Sequence, residues 1–149
     1  MEYRKASAED IELLMEIRLE MLREVNGLSE DHEFSTVLVE KSREYFLEGD
    51  QTTVLAFEGG KPAGCGSISY IRVMPTYDHP TGRRGHIMNV YTRPDFRRRG
   101  VGRRLMEMLI KDAKAQGATE ISLDATEQGR PLYKAMGFAE SWEGMVMVL

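Results

Sequence analysis

The sequence predicts a mixed α/β (α+β) domain, and three observations carry that prediction. The hydrophobic period switches repeatedly between about 3.6 and 2 along the chain, the switches follow the order β, α, α, β, β, β, α, β, α, β, and turn-forming residues stand at most of them. A length of 149 residues suits one compact core, so residues 1–149 read as a single domain.

Residues 3–6 open the chain as a short strand. A helix follows over 8–25: Ser7 and Asp10 have capping-box spacing, and Ile11, Leu14, Arg18, Met21, Leu22 and Val25 recur on one face until Asn26-Gly27 ends it. A second helix is expected over 35–47. "TTVLAFE" and "AGCGSISYIRV", separated by "GGKP", read as two antiparallel strands of a hairpin. After the polar loop "MPTYDHPTGRRG" comes "HIMNVYT", a strand that stops before Pro94. Residues 100–116 form a helix with Val101, Leu105, Met108, Leu109 and Ala113 on one face, closed by Gly117. "TEISLDA" is the next strand, "RPLYKAM" a short helix with proline near its first turn, and "MVMVL" a last strand. An exposed final strand could pair between subunits, so a homodimer is expected.

Composition narrows the function classes. Hydrophobic residues at 42% and charged residues at 30% match a globular chain. No apolar run approaches the roughly 18 residues of a membrane span, and Glu2, Arg4 and Lys5 do not make a secretory signal, so a cytoplasmic protein is expected. Cys65 is the only cysteine; flanked by Gly64 and Gly66, it reads as a small buried apolar residue. His32, His79 and His86 lack metal-ligand spacing, so no metal is expected. A net charge of -4 argues against a nucleic-acid binder.

Against that acidic background, "RPDFRRRGVGRRL" places six arginines and two glycines in thirteen residues. A strand, a glycine-rich turn and a helix start together present backbone N–H groups and a positive dipole end to an anion. A phosphate or pyrophosphate is the natural occupant. Walker A order is absent, since no lysine follows Gly102, and the dinucleotide fingerprint fails because Leu105 stands where its third glycine belongs. A solvated basic helix end is the bland alternative.

The R-x-x-G-x-G order of Arg97, Gly100 and Gly102, followed by "GRPLYKAMGF" over 129–138, resembles the GNAT superfamily of N-acetyltransferases. The resemblance implies a mainly antiparallel central sheet flanked by helices, splayed into a V between the fourth and fifth strands. It implies acetyl-CoA as acetyl donor, a small-molecule or peptide amine as acceptor, and direct attack in a ternary complex. By the same resemblance the pyrophosphate would lie on the backbone of Arg97, Arg98, Arg99, Gly100, Val101, Gly102 and Arg103, and the pantetheine arm along Val90, Tyr91 and Thr92. Thr126 and Gly129 stand where the family pattern has Asn and Ala, which implies cofactor contact with altered detail.

Tyr133 occupies the place of the family's tyrosine acid, which protonates the leaving thiolate. An alkyl amine of pKa about 10.4 is deprotonated in only about one molecule in two thousand at pH 7, so a base or water path is also required. His86 and Asn89 match the positions of the family's acids; the imidazole can accept a proton near neutral pH, whereas Asn89 can only orient. The lack of a carboxylate at both keeps alive a non-catalytic acyl-CoA sensor. A nucleotide-binding module using the same arginines is a further alternative. Tyr77, Asp78, His79, Arg83 and Arg84, with Glu20, Glu24 or Glu33, are candidates for the acceptor mouth.

Overall fold

A computed structural model describes residues 1–141 and 143–149. Strands β1 (Glu2–Lys5), β2 (Gln51–Glu58), β3 (Lys61–Arg72), β4 (Arg83–Thr92) and β5 (Glu120–Leu123) form one sheet in the order β1-β2-β3-β4-β5. Helices are α1 (Ile11–Val25), α2 (Thr36–Glu48), α3 (Val101–Ala115) and α4 (Arg130–Ala135). Successive strands β1 to β4 pair antiparallel, while β4 and β5 are parallel because α3 carries the chain back between them.

The two sheet faces bury different helices. On one, Leu14, Met15, Ile17 and Met21 of α1 and Phe46 of α2 pack on Leu55, Cys65 and Tyr91. On the other, Val101, Leu105, Met106, Leu109 and Ala113 of α3 pack on Val54, Ile68 and Ile87. The expected stripe on α3 is therefore turned slightly: Met106 is fully buried and Met108 only partly, because the contact line runs between positions 105 and 106. The same stripe buries Asp112, which is paired with Lys5 of β1 and accepts from the Tyr70 hydroxyl of β3.

Local signals act where the sequence places them. The Ser7 amide donates to Asp10 Oδ2 at 2.8 Å, completing the capping box, although the first turn is a 3-10 turn over Ala8–Asp10. Ser35 Oγ accepts from the Leu38 amide at 3.2 Å and caps α2. β4 begins earlier than expected, at Arg83, since Arg83, Arg84 and Gly85 pair with Arg72, Ile71 and Tyr70.

One expected strand does not form. "MVMVL", residues 145–149, is irregular and its side chains are 82–110% exposed. A strand needs a ladder partner, and the sheet ends at β5, a four-residue edge that 145–149 does not join. No helix among the described residues is long and apolar enough to cross a membrane.

Candidate active site

β4 and β5 diverge. Their pairing runs only from Arg84 opposite Glu120 to Ile87 opposite Leu123, whereas β4 continues to Thr92. A bulge starts where the pairing stops: Ser67 faces Met88 and Cys65 faces Tyr91, so Gly66 alone opposes both Asn89 and Val90. Asn89 takes φ 58°, a left-handed conformation that asparagine tolerates better than most side chains. Its amide is held from two sides, with Oδ1 accepting from Arg18 Nη1 at 3.2 Å and Nδ2 lying 3.6 Å from Cys65 Sγ. The Arg93 amide donates to Ala63 of β3, so strand alternation turns the polar backbone groups of Val90 and Thr92 away from β3, to the side on which β5 has already ended.

Beyond β4, a 3-10 turn over Pro94–Phe96 leads to a left-handed pair, Arg98 at φ 62° and Gly100 at φ 79°, and α3 begins at Val101. Among the described residues no carbonyl or side chain accepts from the amides of 98–103. The turn therefore aims a run of donors outward at the positive end of α3, which is what an anion needs. Its arginine side chains are mostly neutralised within the chain. Arg97 pairs with Glu24 at 2.6 Å and donates to the Thr92 carbonyl, Arg99 pairs with Glu58, and Arg103 and Arg104 share Glu107. Arg93 bridges Glu16 and Glu20. Of the cluster, Arg98 alone has no carboxylate within 4.0 Å among the described residues.

α4 stands on the far side of this turn. An added Cβ at Gly102 would meet Leu132 Cδ2 at 4.0 Å and Thr92 Oγ1 at 3.9 Å, which places α4 beside the start of α3 and the end of β4. The Tyr133 ring lies against Gly129 and edge-on to Phe138, with centroids 6.1 Å apart. Burial raises the pKa of its phenol above the ordinary tyrosine value. The Thr126 hydroxyl oxygen accepts from the Gly129 amide at 3.1 Å and so shapes the turn into α4.

His86 lies on the paired part of β4. Its Nδ1 is 2.7 Å from Ser122 Oγ and its Nε2 is 3.7 Å from Asp124 Oδ2, so both ring nitrogens face β5 and its exit. Cys65 is fully buried, and loss of solvent pushes its thiol up to about 12, which leaves no thiolate for nucleophilic work. Among the described residues no group of three or more His, Cys, Asp or Glu is placed to hold a metal.

Against the other side of the bulge is a cavity of about 310 Å³ between α1, α2 and β4. Arg18, Lys41, Ser42, Tyr45, Met88 and Asn89 line it with Leu38 and Phe46. The Tyr45 hydroxyl is 2.8 Å from Ser69 Oγ.

Residues 14–138 match the Acetyltransferase (GNAT) family. The chain belongs to the GNAT acetyltransferase family. Its fold superposes on the crystal structure of a predicted acetyltransferase with acetyl-CoA from Clostridium acetobutylicum, with a TM-score of 0.86, 31% identity, and coverage of 99% of this chain and 95% of that one. A GCN5-related N-acetyltransferase from Ralstonia eutropha is similar at a TM-score of 0.79 and 28% identity, covering 99% and 97%. In sequence, the chain is 30% identical to a glucosamine 6-phosphate N-acetyltransferase of Trypanosoma brucei brucei over 73 residues, 49% of each chain. It is 29% identical to the N-acetyltransferase YsnE of Bacillus subtilis over 98 residues, 62% of this chain and 59% of that one. The matches thus span between half and three-fifths of these two relatives.

Within this GNAT fold, the end of β4, the arginine–glycine turn and α4 lie side by side, while several residues expected at the acceptor mouth lie elsewhere. Arg83, Arg84 and His79 sit at the closed end of the β4–β5 pair, bound to Asp50 and Glu120. Tyr77 is fully exposed, and Glu20 and Glu24 are spent on Arg93, Arg97 and Tyr91. The cavity-lining residues of α2 were not anticipated. Arg18 carried a visible signal, a cation standing on the apolar face of α1 among Leu14 and Met21.

Proposed function

We propose that this GNAT domain is an acetyl-CoA-dependent N-acetyltransferase that passes an acetyl group to a primary amine by direct attack in a ternary complex. The observation that carries the reading is the run of amides over 98–103 that no protein acceptor takes, at the start of α3 and just beyond the β4 bulge at Asn89, with α4 and its Tyr133 packed beside that helix start. The layout follows the donor: the pyrophosphate end needs N–H donors at a helix start, and the pantetheine arm needs a strand edge, here Val90 to Thr92.

Each residue then has a task. Arg97, Arg98, Arg99, Gly100, Val101, Gly102 and Arg103 supply the cradle mainly through backbone, since most of the guanidinium groups already hold carboxylates. The Val90 N–H, turned away from β3, polarises the thioester carbonyl at the bulge. Tyr133, kept protonated by burial, gives its proton to the leaving thiolate. Asn89 orients the reactants, and His86, bonded to Ser122 and facing Asp124, takes the amine proton through water. Thr126 and Gly129 act on this site by fixing the start of α4.

Calorimetry with acetyl-CoA and thiol release over an amine panel test the reading. Saturable binding with amine-dependent thiol release is expected, and absence of acetyl-CoA binding overturns it. A non-catalytic acyl-CoA sensor has one observation in its favour, the hydrogen bond of His86 Nδ1 to Ser122 of β5 with Nε2 turned to Asp124 just beyond it; binding without turnover on any amine, protein lysine included, would select it. For assembly, the reading includes a homodimer in which a second copy covers the apolar tail 145–149. Sedimentation of the full chain as a dimer, and as a monomer once 145–149 is deleted, is expected; a monomeric full chain refutes it.

A further inference from the structure

The cavity beside the bulge carries an unusual charge arrangement. Arg18 is half-buried on α1, yet its only hydrogen bond is the 3.2 Å donation to the neutral Asn89 amide, and no carboxylate lies within 4.0 Å of it among the described residues. The arginines of the neighbouring loop differ: Arg93, Arg97 and Arg99 all hold glutamates. The only other charge in the lining is Lys41, which pairs with Glu44 on the exposed side of α2. The cavity therefore has cations and no acid on its walls. Removing a guanidinium from water without a counter-charge is costly, and four of its five N–H donors are left for a partner. Burial lowers the Arg18 pKa from the ordinary arginine value, but an arginine stays protonated.

We propose that Arg18 recognises an anionic group on the acceptor, so that the substrate is a small primary amine bearing a carboxylate or phosphate. This rests on the acetyltransferase reading and names its substrate class. The distance constraint is short. Arg18 touches Asn89 at the start of the bulge, so an anion on Arg18 lies beside the strand segment on which the proposed function puts the thioester carbonyl. The amine and the anion must therefore be separated by a short chain on the acceptor. Leu38, Phe46 and Met88 make the remaining wall apolar and accept the methylenes or ring that join them.

Matched acceptors test the proposal on the whole protein with acetyl-CoA: 3-aminopropanoate against its amide, and phosphoethanolamine against ethanolamine, by thiol release. The anionic member of one pair is expected to lead by roughly ten- to a hundredfold in kcat/KM, expressed in KM, and the pair that shows it identifies carboxylate or phosphate. Arg18→Gln should erase the preference by bringing kcat/KM for the anionic acceptor down to that of its neutral partner, and Arg18→Lys should restore part of it. Equal use of neutral and anionic acceptors, or a preference that survives Arg18→Gln, overturns the proposal and leaves the transferase reading standing. If no amine turns over, calorimetric titration with 3-aminopropanoate and inorganic phosphate decides: binding lost in Arg18→Gln supports the anion site, and binding independent of Arg18, or none, overturns it. Failure of acetyl-CoA itself to bind strikes the transferase reading alone. The matched pairs on the unaltered protein keep the test valid if Arg18→Gln does not fold.

Discussion

Gly129→Ala is expected to slow acetyl transfer by moving Tyr133 without changing its chemistry. A methyl group there would lie 2.8 Å from Tyr133 Cε2 and 3.2 Å from both Cζ and Oη. Carbon atoms pack at roughly 3.5–4.0 Å, so the ring must retreat by about 0.7–1.2 Å. Phe138 sits edge-on to the ring and restricts that retreat. Gly129 itself has φ -82° and ψ -24°, dihedrals that alanine adopts freely, so the whole perturbation falls on the tyrosine.

A misplacement of about 1 Å in a catalytic array costs on the order of 100-fold, and a general acid contributes about 10²–10⁴-fold. Gly129→Ala should therefore lose roughly 100-fold in kcat by thiol release, with the acetyl-CoA Kd by calorimetry changed less than about threefold. Tyr133→Phe should lose at least as much, and the double variant no more than the worse single one, because both act through one hydroxyl. A Gly129→Ala enzyme at full rate beside an impaired Tyr133→Phe would refute the steric reasoning. A Tyr133→Phe enzyme at full rate across pH would remove the acid.

Gly100→Ala forces a side chain into φ 79°, at roughly 1–2 kcal/mol, and tilts the amides of 98–103; acetyl-CoA affinity by calorimetry should fall about tenfold or more, whereas Arg99→Ala should change it far less. Lys5→Ala removes the cation from Asp112, whose side chain is 3% exposed, and should cost about 1–3 kcal/mol in urea unfolding, with an unchanged midpoint counting against the pair. Asp10 is held down to about 2 by its hydrogen bonds from Arg4, against an unfolded value near 3.9. Its folded pKa is depressed, so its stabilisation is complete above about pH 4 and lost as pH falls toward 2. The urea midpoint of Asp10→Asn should accordingly depend less steeply on pH in that window than that of the unaltered chain.

Local physics made most of this fold legible. The capping box at Ser7 and Asp10, the β-rich runs of β2 and β3 separated by a glycine turn, and the glycine pause before α3 are all short-range signals, and each of these elements formed within a few residues of its expected place. Features that depend on distant partners were not legible. Asp112 shares a helix face with Leu105 and Leu109, but nothing local says that Lys5, 107 residues away, is brought against it. The final strand fails for the same reason: apolar character favours a strand, but only a neighbouring ladder makes one. The site was legible as motif and illegible as charge, since nothing local says that Glu16, Glu20 and Glu24 of α1 will meet Arg93 and Arg97.

Those long-range pairs divide the labour between two kinds of positive charge. α1 neutralises the loop arginines with its exposed acidic edge and keeps Arg18 on its buried edge unpaired. On the proposed reading the donor is thus met by backbone dipoles, short-ranged and fixed in direction, whereas the cavity beside Arg18 holds a full charge in a partly desolvated setting. Exposed pairs such as Arg97–Glu24 open with rising salt, but a half-buried guanidinium facing an enclosed anion is screened much less. Raising ionic strength should therefore leave the acceptor preference set by Arg18 nearly intact, and it should trade loop ion pairs for solvent without removing the amides that hold the donor. A chain that spent its loop arginines directly on phosphate would lose donor affinity steeply over the same range, so the salt slope of acetyl-CoA binding distinguishes a backbone cradle from an arginine clamp.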